Sequence, residues 1–440
     1  MRFKIPFIAA LFYLVCCVNC SDDKNANLRV AHIYDPLTGV SGKANAAWLE
    51  KLKNEFETTH PGCQVILEQI QWDQIDTKSL ADFRANIIHD VIWSSPQLMP
   101  KHFLTGDLLN LSPYLQWSEQ EKSEFNWNPV WEKSERDGKR LGIPLGVHTR
   151  TVAFRRDMFI EAGLNPDEPP RNPEELIQAA KALTRDIDGD GKTDIWGLGI
   201  YFGPYRATIE ISFAPLLWHF SGKLWDDQTR RACFASDAGV MAAQYIHDLI
   251  FLHKVTPKWV VSGTYDDVIL RNFLDGKFAM AWGWGSYWIQ ALEEKGWIKG
   301  VFPPTEQGEA DIADVFITPT AGNTQFTNAW TISIHALSPN PKRSFEFIQA
   351  ILQPEALRQF PDAGLPARKS AWLQPEYQTD FYQTWYRAAI YGKSMPFTAN
   401  YMDLADAVAA ALQEILANDQ PVRDTLEKFQ EEYNRRFAGE

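Results

Sequence analysis

Leu28-Arg29-Val30-Ala31-His32-Ile33-Tyr34, then Ala44 to Thr58, then Cys63-Gln64-Val65-Ile66-Leu67-Glu68-Gln69-Ile70 is the stretch whose reading decides the fold. The first and third runs are apolar and strand-like, and the segment between them is an amphipathic helix. Strand, helix and strand in that order describe a parallel pair with a helical crossover. The alternation continues through a predicted helix at Ala81 to Ile88 and a short buried strand, Asp90-Val91-Ile92-Trp93, that ends in Ser94-Ser95-Pro96. The chain is therefore expected to be α/β with a mainly parallel sheet.

Open α/β sheets bind ligands beyond the carboxyl ends of their strands. Asp35, Asp73, Trp93 and Ser94 stand at three such ends and are the first candidate site residues. From Arg140 the pattern changes. Leu141-Gly142-Ile143-Pro144-Leu145-Gly146 is built to bend, and the strand Thr149 to Phe154 follows it, as suits a crossing between two lobes. A further strand, Trp196 to Ile200, delivers Tyr201, Tyr205 and Arg206 to the same cleft, whereas Phe213, Leu217 and Phe220 are spaced as a buried stripe on the helix Glu210 to Phe220.

The chain holds 17 Trp, 26 Phe and 14 Tyr in 440 residues. Part of this must be core, but an indole also lies well against the C–H face of a pyranose ring. The excess points to a carbohydrate cleft.

Composition restricts the other classes. Ile5 to Val18, behind Arg2 and Lys4, is too short for a span of roughly 20 residues and reads as a secretory signal, residues 1–20. Cleavage leaves two readings open: ordinary processing to a soluble periplasmic protein, or lipidation of Cys20 ahead of a polar tether, although Cys17-Val18-Asn19 is a poor match to a lipobox. A net charge of −13 and scattered Lys and Arg argue against nucleic acid. Contact with the membrane is expected only through a lipid anchor. A disulfide between Cys63 and Cys233 is open in an oxidising compartment, but spacing alone does not say that they meet, and they read as two separately buried thiols.

Several phrases in fixed order carry a resemblance: Gly142-Ile143-Pro144, Phe154-Arg155-Arg156-Asp157-Met158-Phe159-Ile160-Glu161-Ala162-Gly163-Leu164, Asn172-Pro173-Glu174-Glu175-Leu176, Gly276-Lys277-Phe278-Ala279-Met280-Ala281, Asn328-Ala329-Trp330-Thr331-Ile332 and Gly364-Leu365-Pro366-Ala367-Arg368. The chain resembles family 1 of the bacterial extracellular solute-binding proteins, the group that includes maltose-binding protein. The resemblance implies a two-lobed periplasmic-binding-protein-like fold of type II and capture of a sugar between the lobes for an ABC permease. It also implies an N-lobe of 21–147 plus 301–338 and a C-lobe of 148–300 plus 339–440. Crossings would fall near Pro144-Val147, Gly300-Pro304 and Ser338-Lys342. In the family the loop after Ala279-Met280-Ala281 offers an aromatic platform, which brings in Trp282 and Trp284, with Trp284 expected to be exposed in the cleft. Asn328 and Trp330 follow as cleft residues. Arg368 is set against the commoner fate of an arginine, pairing with an acid.

Asp186, Asp188, Asp190 and Asp194 alternate as in a calcium loop, but Gly197 stands where the bidentate Glu of an EF-hand belongs. A structural calcium is the cofactor this pattern suggests, and none is required for binding. No nucleophile elbow, His-Glu-x-x-His or phosphate loop is present, so no enzyme is expected. A monomer is anticipated, with a polyamine-binding subunit or a sugar sensor as the alternatives to a sugar importer.

Overall fold

The computed structural model describes residues 27–37, 39–71, 74–127, 130–300, 308–359 and 365–437. The signal segment, Cys20 and Asp73 lie outside the described residues.

The opening βαβ unit forms as the sequence predicts. Strand β1 (Asn27–His32) pairs in parallel with β2 (Gln64–Gln69) and with β3 (Val91–Ser94). The helix Gly39–Thr59 joins β1 to β2 and turns Trp48, Leu49, Leu52 and Phe56 into the core. Its apolar positions recur at three- and four-residue intervals, one stripe of a 3.6-residue helix. The first sheet is completed by β4 (Ile143–Pro144). It then continues into a second sheet of β5 (His148–Arg155), β6 (Trp196–Gly199), β7 (Phe278–Gly285) and β8 (Ala313–Phe316), with β9 (Thr327–Asn328) against the start of β5. Strand β10 (Thr331–Ile334) returns to the first sheet between β3 and β4.

The molecule is two-lobed, one lobe around each sheet. The first sheet has the order β2-β1-β3-β10-β4, and the second β8-β5-β7-β6. The expectation of a mainly parallel sheet holds around β1 only. In the second sheet β5 runs antiparallel to both β7 and β8, and β6–β7 is its parallel pair.

The lobe boundaries differ from those implied by the resemblance. Ile298 and Lys299 pair antiparallel with Ala310 and Glu309, and β8 then runs beside β5, so residues 308–328 lie with the second lobe. The helix Pro341–Ile351 packs instead on the helix Gly39–Thr59 and on β10, with Phe347 against Phe56 at 5.1 Å. Trp48 Nε1 donates to the carbonyl of Ala356 at 3.0 Å, which ties the following turn to the first lobe as well. The helix Asp380–Tyr391 lies against β5 and β8 of the second. Residues 308–328 thus belong to the second lobe and 331–359 to the first, because each segment buries its apolar face where a matching face is free.

Three described segments meet between the lobes. Leu145 N donates to Trp330 O at 2.9 Å, and Val147 N donates to Leu365 O at 2.9 Å. The 144–148, 328–331 and 365–367 stretches therefore run side by side as a hinge, and the cleft opens beside them.

Candidate functional site

Strands β1, β3, β6 and β7 all end toward this hinge, so the loops that follow them face one another across the gap. From the first lobe comes Gln97, three residues beyond β3. From the second comes Glu210, on a π-helical turn at Thr208–Phe213, together with Tyr401 at the start of the helix Tyr401–Asn418. Gln97 Nε2 donates to Glu210 Oε1 at 3.2 Å, and Tyr401 donates its hydroxyl to the same oxygen at 2.7 Å. Asn328 Nδ2 and Ser95 Oγ both donate to Gln97 Oε1, at 2.9 and 2.8 Å. The network thus joins first lobe, second lobe and hinge. Gln97 and Glu210 are each 7% exposed. Burial, reinforced by the neighbouring Glu210 carboxylate, holds the Tyr401 phenol well above the usual tyrosine range. It remains a donor.

The sequence-predicted residues divide. Asn328 belongs to this network. Arg206 is buried close by, its Nη1 3.5 Å from Met402 Sδ and its guanidinium over the ring of Tyr205 at 5.5 Å. Asp35 is half-buried at the end of β1 and accepts from Leu37 N at 2.8 Å and Gln71 Nε2 at 3.2 Å. Trp330 is half-buried in the hinge.

The remainder point elsewhere. Trp93 is fully buried and donates to the Tyr34 hydroxyl at 3.3 Å. Ser94 Oγ lies 2.9 Å from both Thr331 Oγ1 and Ser333 Oγ, a staple between β3 and β10. Tyr201 is buried, donates to Gly263 O at 3.2 Å and has its pKa pushed up to about 12 by burial. Trp282 donates to Ile211 O at 2.8 Å in the core. The exposed indole expected at Trp284 is not found. Gly283 takes φ +83°, the β5–β7 register shifts there, and Trp284 turns inward against Phe273 and Trp288, both 4.9 Å away. Arg368 stays in the first lobe, donating to Leu352 O at 3.2 Å with Glu124 at 3.6 Å, so the acid-pairing fate applies to it.

Gln97, Tyr401 and Ser95 were absent from the sequence-derived set, and Glu210 appeared only as the start of a predicted helix. Gln97 was within reach of the strand-end rule, three residues past Ser94. Nothing near Tyr401 in the sequence marks it, since its partner lies 191 positions away.

The acidic loop stands apart on the surface. Oxygens of Asp186, Asp188 and Asp194 lie within 4.8 Å of one another, and all three residues are exposed. Asp186 accepts from Gly189 N and Gly191 N, and Asp194 accepts from Ile187 N. Asp190 accepts from Lys192 N and Nζ, both at 2.8 Å.

Chemically, the interlobe network is a set of directed donors and acceptors. Burial pushes both the Cys63 and the Cys233 thiol up, the opposite of an activated nucleophile. Among the described residues no helix is long and apolar enough to cross a membrane.

Similar proteins share this architecture. An ABC transporter solute-binding protein from Thermotoga lettingae, solved with α-D-tagatose, superposes with a TM-score of 0.77 at 19% identity, covering 93% of this chain and 99% of that one. An ABC substrate-binding protein from Listeria monocytogenes in complex with cycloalternan gives 0.76 at 18%, covering 94% and 100%. One from Agrobacterium radiobacter in complex with ribitol gives 0.72 at 18%, covering 94% and 99%. A binding protein of Brucella abortus is 21% identical over 422 residues, 94% of this chain and 93% of that relative. The family model described as bacterial extracellular solute-binding protein matches residues 39–357, most of the chain, and the protein belongs to that family.

Proposed function

We propose that this protein is the sugar-capturing subunit of an ABC importer, exported from the cytoplasm and acting as a monomer that hands its ligand to a membrane permease. The observation that carries the reading is the contact of Gln97 with Glu210 across the cleft. Two buried polar side chains from different lobes meet there and are joined by a hydrogen bond. Side chains so placed can transfer their hydrogen bonds to a ligand's hydroxyls, which need both donors and acceptors. The similar structures solved with tagatose, cycloalternan and ribitol support a polyhydroxylated ligand. A network with no activated nucleophile supports binding without catalysis.

A calorimetric screen of mono- and oligosaccharides and polyols against the purified protein tests this. Binding of at least one is expected, with Glu210→Gln weakening it about tenfold to a hundredfold as a buried charge-assisted hydrogen bond is lost. Binding of spermidine alone, with every carbohydrate silent, would replace the sugar reading with the polyamine one. Uptake that survives deletion of the partner permease, with only a signalling response lost, would make the protein a sensor.

A further inference from the structure

We infer that Arg150 makes the cleft selective for a sugar carrying an anionic oxygen group, a carboxylate or a phosphate; this rests on the sugar reading above and narrows it.

Arg150 is the third residue of β5, the strand that enters the second lobe from the hinge, and its cross-strand partner is Gly285, the last residue of β7. That is the cleft-facing end of the second sheet. Gly285 presents no side chain, and a Cβ there would stand 2.4 Å from Tyr287 Cε1, so Tyr287 folds back across the glycine toward the arginine. The guanidinium lies over the Tyr287 ring at 5.3 Å and over Phe326 at 5.9 Å.

The fork is flanked by rings and is not neutralised. Its hydrogen bond is from Nη1 to the carbonyl of Thr149 at 3.1 Å, and its Nε is buried with no acceptor among the described residues. Arg140, which is buried, and Arg155, Arg156 and Arg185, which are half-buried like Arg150, each have a carboxylate within 4.0 Å; Arg150 has none among the described residues. Aromatic faces attract the cation but cannot accept its in-plane N–H groups. A partly desolvated guanidinium without an anion is costly, and its planar fork matches a carboxylate or phosphate edge. The surroundings agree, since His148, two residues away in the same strand, has its pKa lowered to about 3 by burial and by the Arg150 charge. The missing partner is best supplied by the ligand.

The test is calorimetry with the purified protein and matched sets: glucose and galactose, the corresponding hexuronates, their 6-phosphates, and short oligomers of the neutral and uronic forms. One acidic series is expected to bind about tenfold to a hundredfold more tightly than its neutral counterpart, with the preference shrinking in high salt. Arg150→Gln should erase that ratio while neutral binding persists. Arg150→Lys should retain most of it for a phosphate, which accepts a point charge, and lose most of it for a carboxylate held by the fork. Neutral sugars binding as tightly as acidic ones, or a ratio unchanged in Arg150→Gln, overturns the inference and leaves the sugar reading standing. If Arg150→Gln does not fold, the wild-type ratio and the Lys variant decide. Silence from every sugar, neutral and acidic, removes both readings together.

Discussion

Trp282 and Trp284 stand two positions apart on one strand and differ in what their indoles meet. In a regular strand both would face the same way, as period-two alternation requires. Gly283, at φ +83°, inserts a bulge, and a Cβ there would stand 1.8 Å from Ile211 Cγ2, so only glycine serves. Trp282 then donates to Ile211 O, while the Trp284 N–H is buried with no acceptor among the described residues. Trp284→Ala is expected to destabilise the fold by roughly 3–5 kcal/mol, the cost of a large core cavity, with ligand affinity little changed. Trp284→Phe, which keeps much of the volume and removes the orphan N–H, should recover much of that loss. Calorimetric melting beside ligand titration separates the outcomes, and a weakened affinity at unchanged melting temperature would return Trp284 to the cleft. Aromatic identity alone could not tell a core indole from a ligand platform; the bulge did.

At the scale of elements, the helix read from Glu210 to Phe220 is a π-turn at Thr208–Phe213 followed by an α-helix at Ala214–His219. Pro215 has no N–H to offer the carbonyl of Ile211, four residues earlier, and Trp282 serves that carbonyl instead. This break carries Glu210 on the π-turn, buried beside Gln97. The acidic loop brings three of its carboxylates together at the surface, as its spacing suggests. Its carboxylates already accept backbone N–H groups, as Asp and Asn do in turns. We expect Asp186→Ala to cost about 1 kcal/mol, as for the loss of a capping carboxylate, and equally with excess calcium or with chelator. A loss confined to the calcium-loaded protein would mean that the loop holds the cation its spacing suggests.

At the scale of the whole molecule, the lobes also touch away from the polar network. The 392–400 segment joins two helices of the second lobe, yet Phe397 reaches the first lobe. Its ring sits 6.0 Å from Phe103, with Lys133 Nζ at 5.7 Å and Arg136 at 5.1 Å, beside the small cluster of Ile92, Met99, Leu108 and Leu141. Burial lowers the Lys133 ammonium to about 8, and Phe397 covers it. A contact available only when the lobes meet adds to the closed population, and apparent affinity scales with that population. Phe397→Ala should weaken ligand binding about tenfold, roughly 1–2 kcal/mol for the ring's burial and its cation contacts, without touching the ligand. Small-angle scattering of the variant should show a more open molecule; an unchanged profile and affinity would reduce Phe397 to surface packing.

The sequence by itself determined the α/β class, the first βαβ unit and the bend at Leu141–Gly146. These rest on local period and turn chemistry, which neighbours in the chain carry. Tertiary structure alone decided that β8 lies beside β5, that the helix Pro341–Ile351 returns to the first lobe, and that Gln97, Glu210, Asn328 and Tyr401 converge. Ser94 shows why. A hydroxyl at a strand end looks like a ligand contact until Thr331 and Ser333, more than 230 residues later, arrive on the neighbouring strand and take it. Which face of a strand is covered is fixed by its partner, and no local pattern records who that partner is.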